Sequence, residues 1–280
     1  MAFTPVIGIG GYAGFRVLEQ IAPRQREAFD RSPDIQRNIE YFRANISKAV
    51  TAEDLVADRK LLAVALGAFG LGEEIDKRAF VRRIIESSTT EERSLVNRIN
   101  DPRYKELTKA FGYGDLSGGS NVLRESFRED IIARYKALEF ERAVGEGDPD
   151  FRLALNFKRE IVKIASGENA DRVGWLQVLG QRPLRELLST ALQIPDEIAQ
   201  LDIDQQVKIF EERAAKFFGD RSAAVFKDPD VVDQTLRRFF LNQQVKAGPS
   251  PLTPGFAALT LLQNSALGGV GGANLILSQL

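Results

Sequence analysis

The sequence predicts an all-α protein: a helical bundle built from two diverged copies of a multi-helix unit, with flexible apolar arms at both ends. Three observations carry this expectation. Apolar residues recur at helical spacing through most of the chain, Asp-Pro and Ser-Pro pairs mark one helix start after another, and a set of landmarks occurs twice in the same order.

Residues 1–32 form the N-terminal arm and a first helix. The run Phe3–Ile7 is interrupted by Pro5 and followed by Gly8, Gly10 and Gly11, so it reads as a flexible arm with at most a few strand residues near Val6. Helix signals dominate from about residue 12.

Residues 33–114 form the first repeat. Ser32-Pro33-Asp34 is a start signal, and Ile35, Ile39, Phe42 and Ile46 make one apolar stripe behind it. Thr51 with Asp54 opens a second helix as a capping box; Leu55, Leu62, Leu66 and Phe69 line its buried side up to a stop at Gly70. A third helix over 73–87 carries Ile75, Phe80 and Ile84. Shorter helices are expected at about 90–99 and 102–111, the latter opened by Asp101-Pro102.

The stretch from Gly112 to Asn121 is the clearest linker, and a long connecting helix follows within 115–148, spanning about 122–144. Residues 149–244 are the second repeat. It starts at Asp148-Pro149, shows a stripe of Phe151, Leu155, Val162 and Ala165, and continues in helices at about 170–180, 183–193, 204–218 and 229–244. Val207, Phe210, Ala214 and Phe217 form a narrow stripe of coiled-coil spacing in one of these.

The duplication rests on three anchors. Tyr41-Phe42-Arg43 resembles Asn156-Phe157-Lys158. Leu66 to Ile75 resembles Ser189 to Ile198 in apolar and acidic positions. Asn100-Asp-Pro102 with Phe111 resembles Lys227-Asp-Pro229 with Phe239. The offset grows from 115 to 123 to 127, as small loop insertions would produce.

Composition narrows the chemistry. The 38 basic and 39 acidic side chains nearly cancel, so no net field recruits nucleic acid or an anionic membrane surface. Cysteine and histidine are both absent, which removes disulfides, thiolate and imidazole metal sites, and Ser-His or Cys-His catalysis. No apolar run approaches the roughly 20 residues of a membrane-spanning helix. The amino terminus lacks a secretory signal, so a cytoplasmic location, or the bacterial flagellum through a signal-independent export route, is expected.

Several features imitate functional sites. Gly8, Gly10 and Ala13 fit a dinucleotide-binding pattern, but that motif needs a parallel sheet beneath it, and none is predicted. Carboxylates at Glu73, Glu74 and Asp76, at Asp202 and Asp204, and at Glu211 and Glu212 sit where helix starts or solvated faces explain them. The basic series Arg124, Arg128 and Arg134 is interleaved with Glu125, Glu129 and Asp130, which suits surface pairing. Catalytic, cofactor and metal sites are therefore expected to be absent.

Partner-binding candidates remain. Trp175, the only tryptophan, is either a partner anchor or a large core filler. The apolar tail 245–280 carries Phe256, Leu259, Leu262, Leu275 and Leu277; it either completes the core or docks on a partner.

Particular segments resemble the bacterial "domain of unknown function 1217" family. They are Phe3–Ile7 with its glycines, Tyr41–Arg43, Ala52–Leu55, Asp58–Leu71, Asn100–Tyr104, Phe157–Ile161 and Leu201–Val207, together spanning nearly the whole chain. The resemblance brings no activity or catalytic residue with it. It implies products of flagellar gene neighbourhoods, hence a structural, assembly or regulatory role with protein partners, flagellar components among them. Two rival expectations stand beside it: a cytoplasmic chaperone or regulator holding a partner peptide between the halves, and a carboxylate-dependent enzyme using Asp202 or Asp204.

Overall fold

The computed structural model describes residues 3–99 and 101–248. It is all-α, with no strand among those residues. Twelve α-helices are described: α1 (Gly11–Asp30), α2 (Pro33–Asn45), α3 (Ala52–Ala57), α4 (Arg59–Gly67), α5 (Arg78–Ile85), α6 (Pro102–Phe111), α7 (Glu125–Gly147), α8 (Pro149–Ser166), α9 (Ala170–Gly180), α10 (Arg182–Ala191), α11 (Ile203–Phe218) and α12 (Pro229–Ala247).

The start signals act through their side chains in most places. Asp101, Asp148 and Asp228 each accept a backbone N–H from the first turn of the helix they open. Thr51 and Asp54 close the expected box, Thr51 N donating to Asp54 Oδ2 at 3.0 Å and Asp54 N to Thr51 Oγ1 at 3.1 Å. Ser32 departs from the pattern: it stands at the cap position with extended backbone, but its hydroxyl accepts nothing from α2.

The first half differs from the sequence expectation in three places. The helix expected over 51–70 is cut at Asp58, whose carboxylate accepts from Lys60 N (2.9 Å) and Leu61 N (3.1 Å) and starts α4 afresh. The helix expected over 73–87 is limited to α5, preceded by one 3₁₀ turn, Gly72–Glu74. The helix expected at 90–99 is an irregular segment with a single 3₁₀ turn, Val96–Arg98. Side chains hold that segment: Asp115 accepts from Thr89 N at 2.8 Å, and Asn97 Nδ2 donates to Glu91 O at 2.8 Å. Polar groups of this kind satisfy the backbone locally and compete with a helix.

Further on, α7 runs past the expected end at about 144 to Gly147, and Gly145 within it leaves room for the side chain of Arg152; a Cβ there would lie 2.5 Å from Arg152 Cδ.

Helix α8 is central, packing on α7, α9, α10, α12 and the 3₁₀ turn Ala223–Lys227. Phe157 is wholly buried and meets Phe226 edge-on at 5.7 Å. A second aromatic group joins three helices: Phe15 of α1, Phe151 of α8 and Phe240 of α12 have ring centroids 5.4 to 5.8 Å apart. Such aromatic contacts add about 0.5–1.5 kcal/mol each beyond the apolar area they bury. They fasten α1 and α12 onto α8. Between α7 and α8, Arg159 grips the buried carboxylate of Glu141 through two hydrogen bonds, at 2.9 and 3.0 Å.

Elements α2 to α6 and α8 to α12 follow the same order, and 3₁₀ turns follow α4 and α5 as they follow α10 and α11, whereas the turn Ile46–Lys48 after α2 has no counterpart after α8. Helix α2 packs on α4 as α8 packs on α10, and α3 touches α4 and α5 as α9 touches α10 and α11. The last helices differ, because α12 packs on α10 whereas α6 packs on α5.

Candidate functional site

The most distinctive surface lies where the first and last described helices meet, and it is assembled by the contact of α1 with α12. Tyr12 donates its hydroxyl to Asp233, 2.6 Å from Oδ1, and the Arg237 guanidinium lies over the Tyr12 ring at 5.2 Å. Arg16 adds a longer ion pair to Asp233 at 3.4 Å. Burial, and then the bond to Asp233, push the Tyr12 phenol above its ordinary pKa. It therefore remains a neutral donor through the physiological range.

This pairing sets the start of α1 beside the end of α12. A Cβ on Gly11 would lie 2.5 Å from Gln244 Nε2, and Gly11 has φ +80°, a conformation that favours glycine. The α7–α8 junction reaches the same place. A side chain on Gly147 would meet Ile7 Cδ1 at 2.3 Å, and Gln243 donates to Asp150 Oδ1 at 2.7 Å. Asp148, between those two, caps α8; burial raises its carboxyl pKa against the two backbone N–H groups that hold it down.

Large apolar side chains stand in solvent on this end. Ile9 is 86% exposed, Val245 79% and Leu241 53%. Leu241 and Val245 are one turn apart on the same face of α12, immediately before the segment that continues to the apolar tail. Beside them opens a polar cleft of about 370 Å³ between α10, α11 and α12, lined by Arg182, Arg185, Glu186, Asp196, Gln243 and Lys246. Lys246 donates there to Thr190 Oγ1 at 3.2 Å.

A second cleft, of about 420 Å³, lies on the seam between α6 of the first half and α8 and α9 of the second, and includes Pro102, Glu106, Lys163, Leu176 and Gln177. Burial, and then the neighbouring Arg159, lower the Lys163 pKa. Its ammonium lies 3.0 Å from Glu160.

The candidates singled out in the sequence fall differently. Trp175 is 3% exposed, donates from Nε1 to Arg221 O at 2.7 Å, and packs between Phe210 and Phe226. It fills the core of the second half and has no free face for a partner. Phe256, Leu259, Leu262, Leu275 and Leu277 lie outside the described residues. The glycines of residues 8–11 stand on no sheet, and the segment before them, residues 3–7, is not loose: it turns back along α1 and is held there. Asp202 and Asp204 are exposed at the start of α11, and among the described residues no group of three or more acidic side chains is placed to hold a metal ion. No described helix is long and apolar enough to cross a membrane. Sequence reasoning missed Leu241 and Val245, because two exposed apolar residues on a helix of mixed composition make no pattern of their own.

Fold and surface together define an all-α bundle that leaves Ile9, Leu241 and Val245 exposed where α1 begins and α12 finishes. The chain belongs to the family described as "Protein of unknown function (DUF1217)", matched over residues 68–232. It is also similar to the crystal structure of protein AGR_C_984 from Agrobacterium tumefaciens: TM-score 0.69 and 24% identity over 88% of this chain and 100% of that one, which supports the fold. No curated protein matches the sequence.

Proposed function

We propose that this protein is a non-enzymatic protein-binding component associated with the bacterial flagellum or its assembly, and that it engages its partner through the end where α12 finishes. The observation that carries this reading is the pair Leu241 and Val245, exposed on one face of α12 directly before an apolar tail. Neighbouring apolar side chains left in water favour a partner that covers them, since each buried methylene gains about 0.8 kcal/mol. The flagellar part of the reading comes from the family resemblance.

The two halves are read as diverged copies of one unit. Their shared element order and the matched α2–α4 and α8–α10 packing support this.

Photo-crosslinking from position 245 tests the reading. Adducts with rod, hook or export proteins are expected; adducts confined to unrelated cytosolic proteins contradict it. The seam cleft favours a second reading, a regulator that holds a partner peptide between the halves. Crosslinks from position 176, with none from 245, would support that one instead.

A further inference from the structure

Residues 3–7 are bound to the body of the protein as a peptide ligand would be. Gln25, buried to 9% exposure, accepts from Val6 N at 2.8 Å through Oε1 and donates to Val6 O at 3.0 Å through Nε2. One carboxamide thus pairs with both backbone groups of an extended residue, as a neighbouring strand would. The side chain of Val6 points outward, so this contact reads main chain and not side-chain identity. Recognition of side chains comes from the flanks. Phe3 lies edge-on to Phe29 at 6.1 Å, and Phe29 in turn to Phe140 at 5.6 Å. Pro5 is buried, and Ile7 rests where only a glycine at 147 leaves room. The groove belongs to α1 and α7, while its occupant is tied to them through Gly8, Gly10 and Gly11. Gly8 has open space around it, and the φ of +80° at Gly11 marks the turn into α1.

We propose that this groove is an exchangeable docking site that takes residues 3–7 from a second copy of the chain in place of its own. The argument for a second copy is that these residues are the ligand the groove is shaped for, and every other copy carries the same ligand on the same glycine tether. The tether gives the chain's own segment a local concentration of about millimolar order, so exchange becomes prominent when copies are crowded or held side by side. This inference stands independently of the flagellar assignment.

The cysteine-free sequence makes the test direct. A Cβ at position 147 would stand 3.8 Å from Ile7 Cβ, within the ~3.5–4.5 Å that a disulfide spans. The Ile7→Cys/Gly147→Cys double variant, oxidised when dilute, should close within one chain; failure to close would overturn the seating of the segment and the proposal with it. Next, Ile7→Cys chains are mixed with differently tagged Ile7→Ala/Gly147→Cys chains, in which the shortened residue 7 leaves room for the new side chain, and oxidised over rising concentration. Exchange predicts a mixed disulfide dimer about tenfold above either homodimer near millimolar protein, falling away on dilution. A statistical mixture of the three dimers, or monomer alone, while the double variant still closes within one chain, would overturn exchange.

Discussion

Gln193 holds a left-handed backbone, φ 53°, at the place in the second half where the first half has Gly70 at φ 69°. The chain then turns identically in both: Leu71 N donates to Leu66 O at 2.9 Å, and Ile194 N to Ser189 O at 2.8 Å. Both are six-to-one closures that end a helix by satisfying a free carbonyl. Only glycine adopts this conformation without strain, and another L-residue pays about 1–2 kcal/mol. Gln193→Gly should therefore raise unfolding stability by about 0.5–1 kcal/mol, while Gly70→Ala lowers it by about 1 kcal/mol. Urea melts of the two variants check both signs. The 3.3 Å bond from Gln193 to Asn242 is exposed and does little to offset the gain.

The clasp on the N-terminal segment gives a local prediction. Gln25→Ala removes both bonds to Val6, and should cost about 1–2 kcal/mol. Hydrogen exchange resolves it further: the Val6 amide loses protection while amides in the middle of α8 keep theirs. Unchanged protection at Val6 would mean that the flanking apolar contacts hold the segment alone.

Alkaline stability tests the seam between α2 and α7. Tyr135 is buried, and its hydroxyl accepts from Asn38 Nδ2 at 2.9 Å. Burial, then the charge of Glu139, push its pKa from 10.0 to about 12. In the unfolded chain the phenol ionises near its ordinary value, so the folded state holds the proton more tightly. Its contribution is complete below pH 10 and is lost as the pH rises from 10 to about 12, on the order of 2–3 kcal/mol. Tyr135→Phe should flatten that part of the pH dependence measured by circular dichroism. Tyr113 is shifted in the same direction by burial and leaves a residual slope in the variant.

Two cap residues that look alike in sequence should behave differently. Thr51→Ala breaks a box with both bonds formed and is expected to cost about 1 kcal/mol. Ser32→Ala removes no cap bond and should change stability by less than about 0.5 kcal/mol. Thermal unfolding of the pair separates them; equal losses would mean that the Ser32 hydroxyl acts in another way.

How far the sequence foretells this structure depends on the residue. Ile35, Ile39, Phe42 and Ile46 are all buried, as their spacing requires, and the Asp-Pro pairs at 101, 148 and 228 each open a helix. Spacing alone fails where two registers compete: the helical period puts Val162 on the buried stripe of α8, yet it is half-exposed, because Ile161 and Ile164 take the core face. Phe80 is partly exposed for a related reason, with Val81, Ile84 and Ile85 filling the inner side of α5. The terminal face was illegible because it is built from contacts over more than 200 residues of separation, such as Tyr12 with Asp233. Gln25 was equally hidden: its partner is main chain, and a glutamine on a helix carries no pattern that announces it.

The proposed role of the end of α12 is to bind a flagellar partner. Its most direct measurement is the amount of this protein in purified flagellar basal bodies, compared between the native chain and Leu241→Ser/Val245→Ser. Both positions are exposed, so the variant should fold with a stability change within about 0.5 kcal/mol per site. The native protein is expected to co-purify with basal bodies and the folded variant to be depleted from them about tenfold or more, roughly the loss of 1.4 kcal/mol in binding. A native protein found only in the cytosol, or a variant retained at the native level, would contradict it.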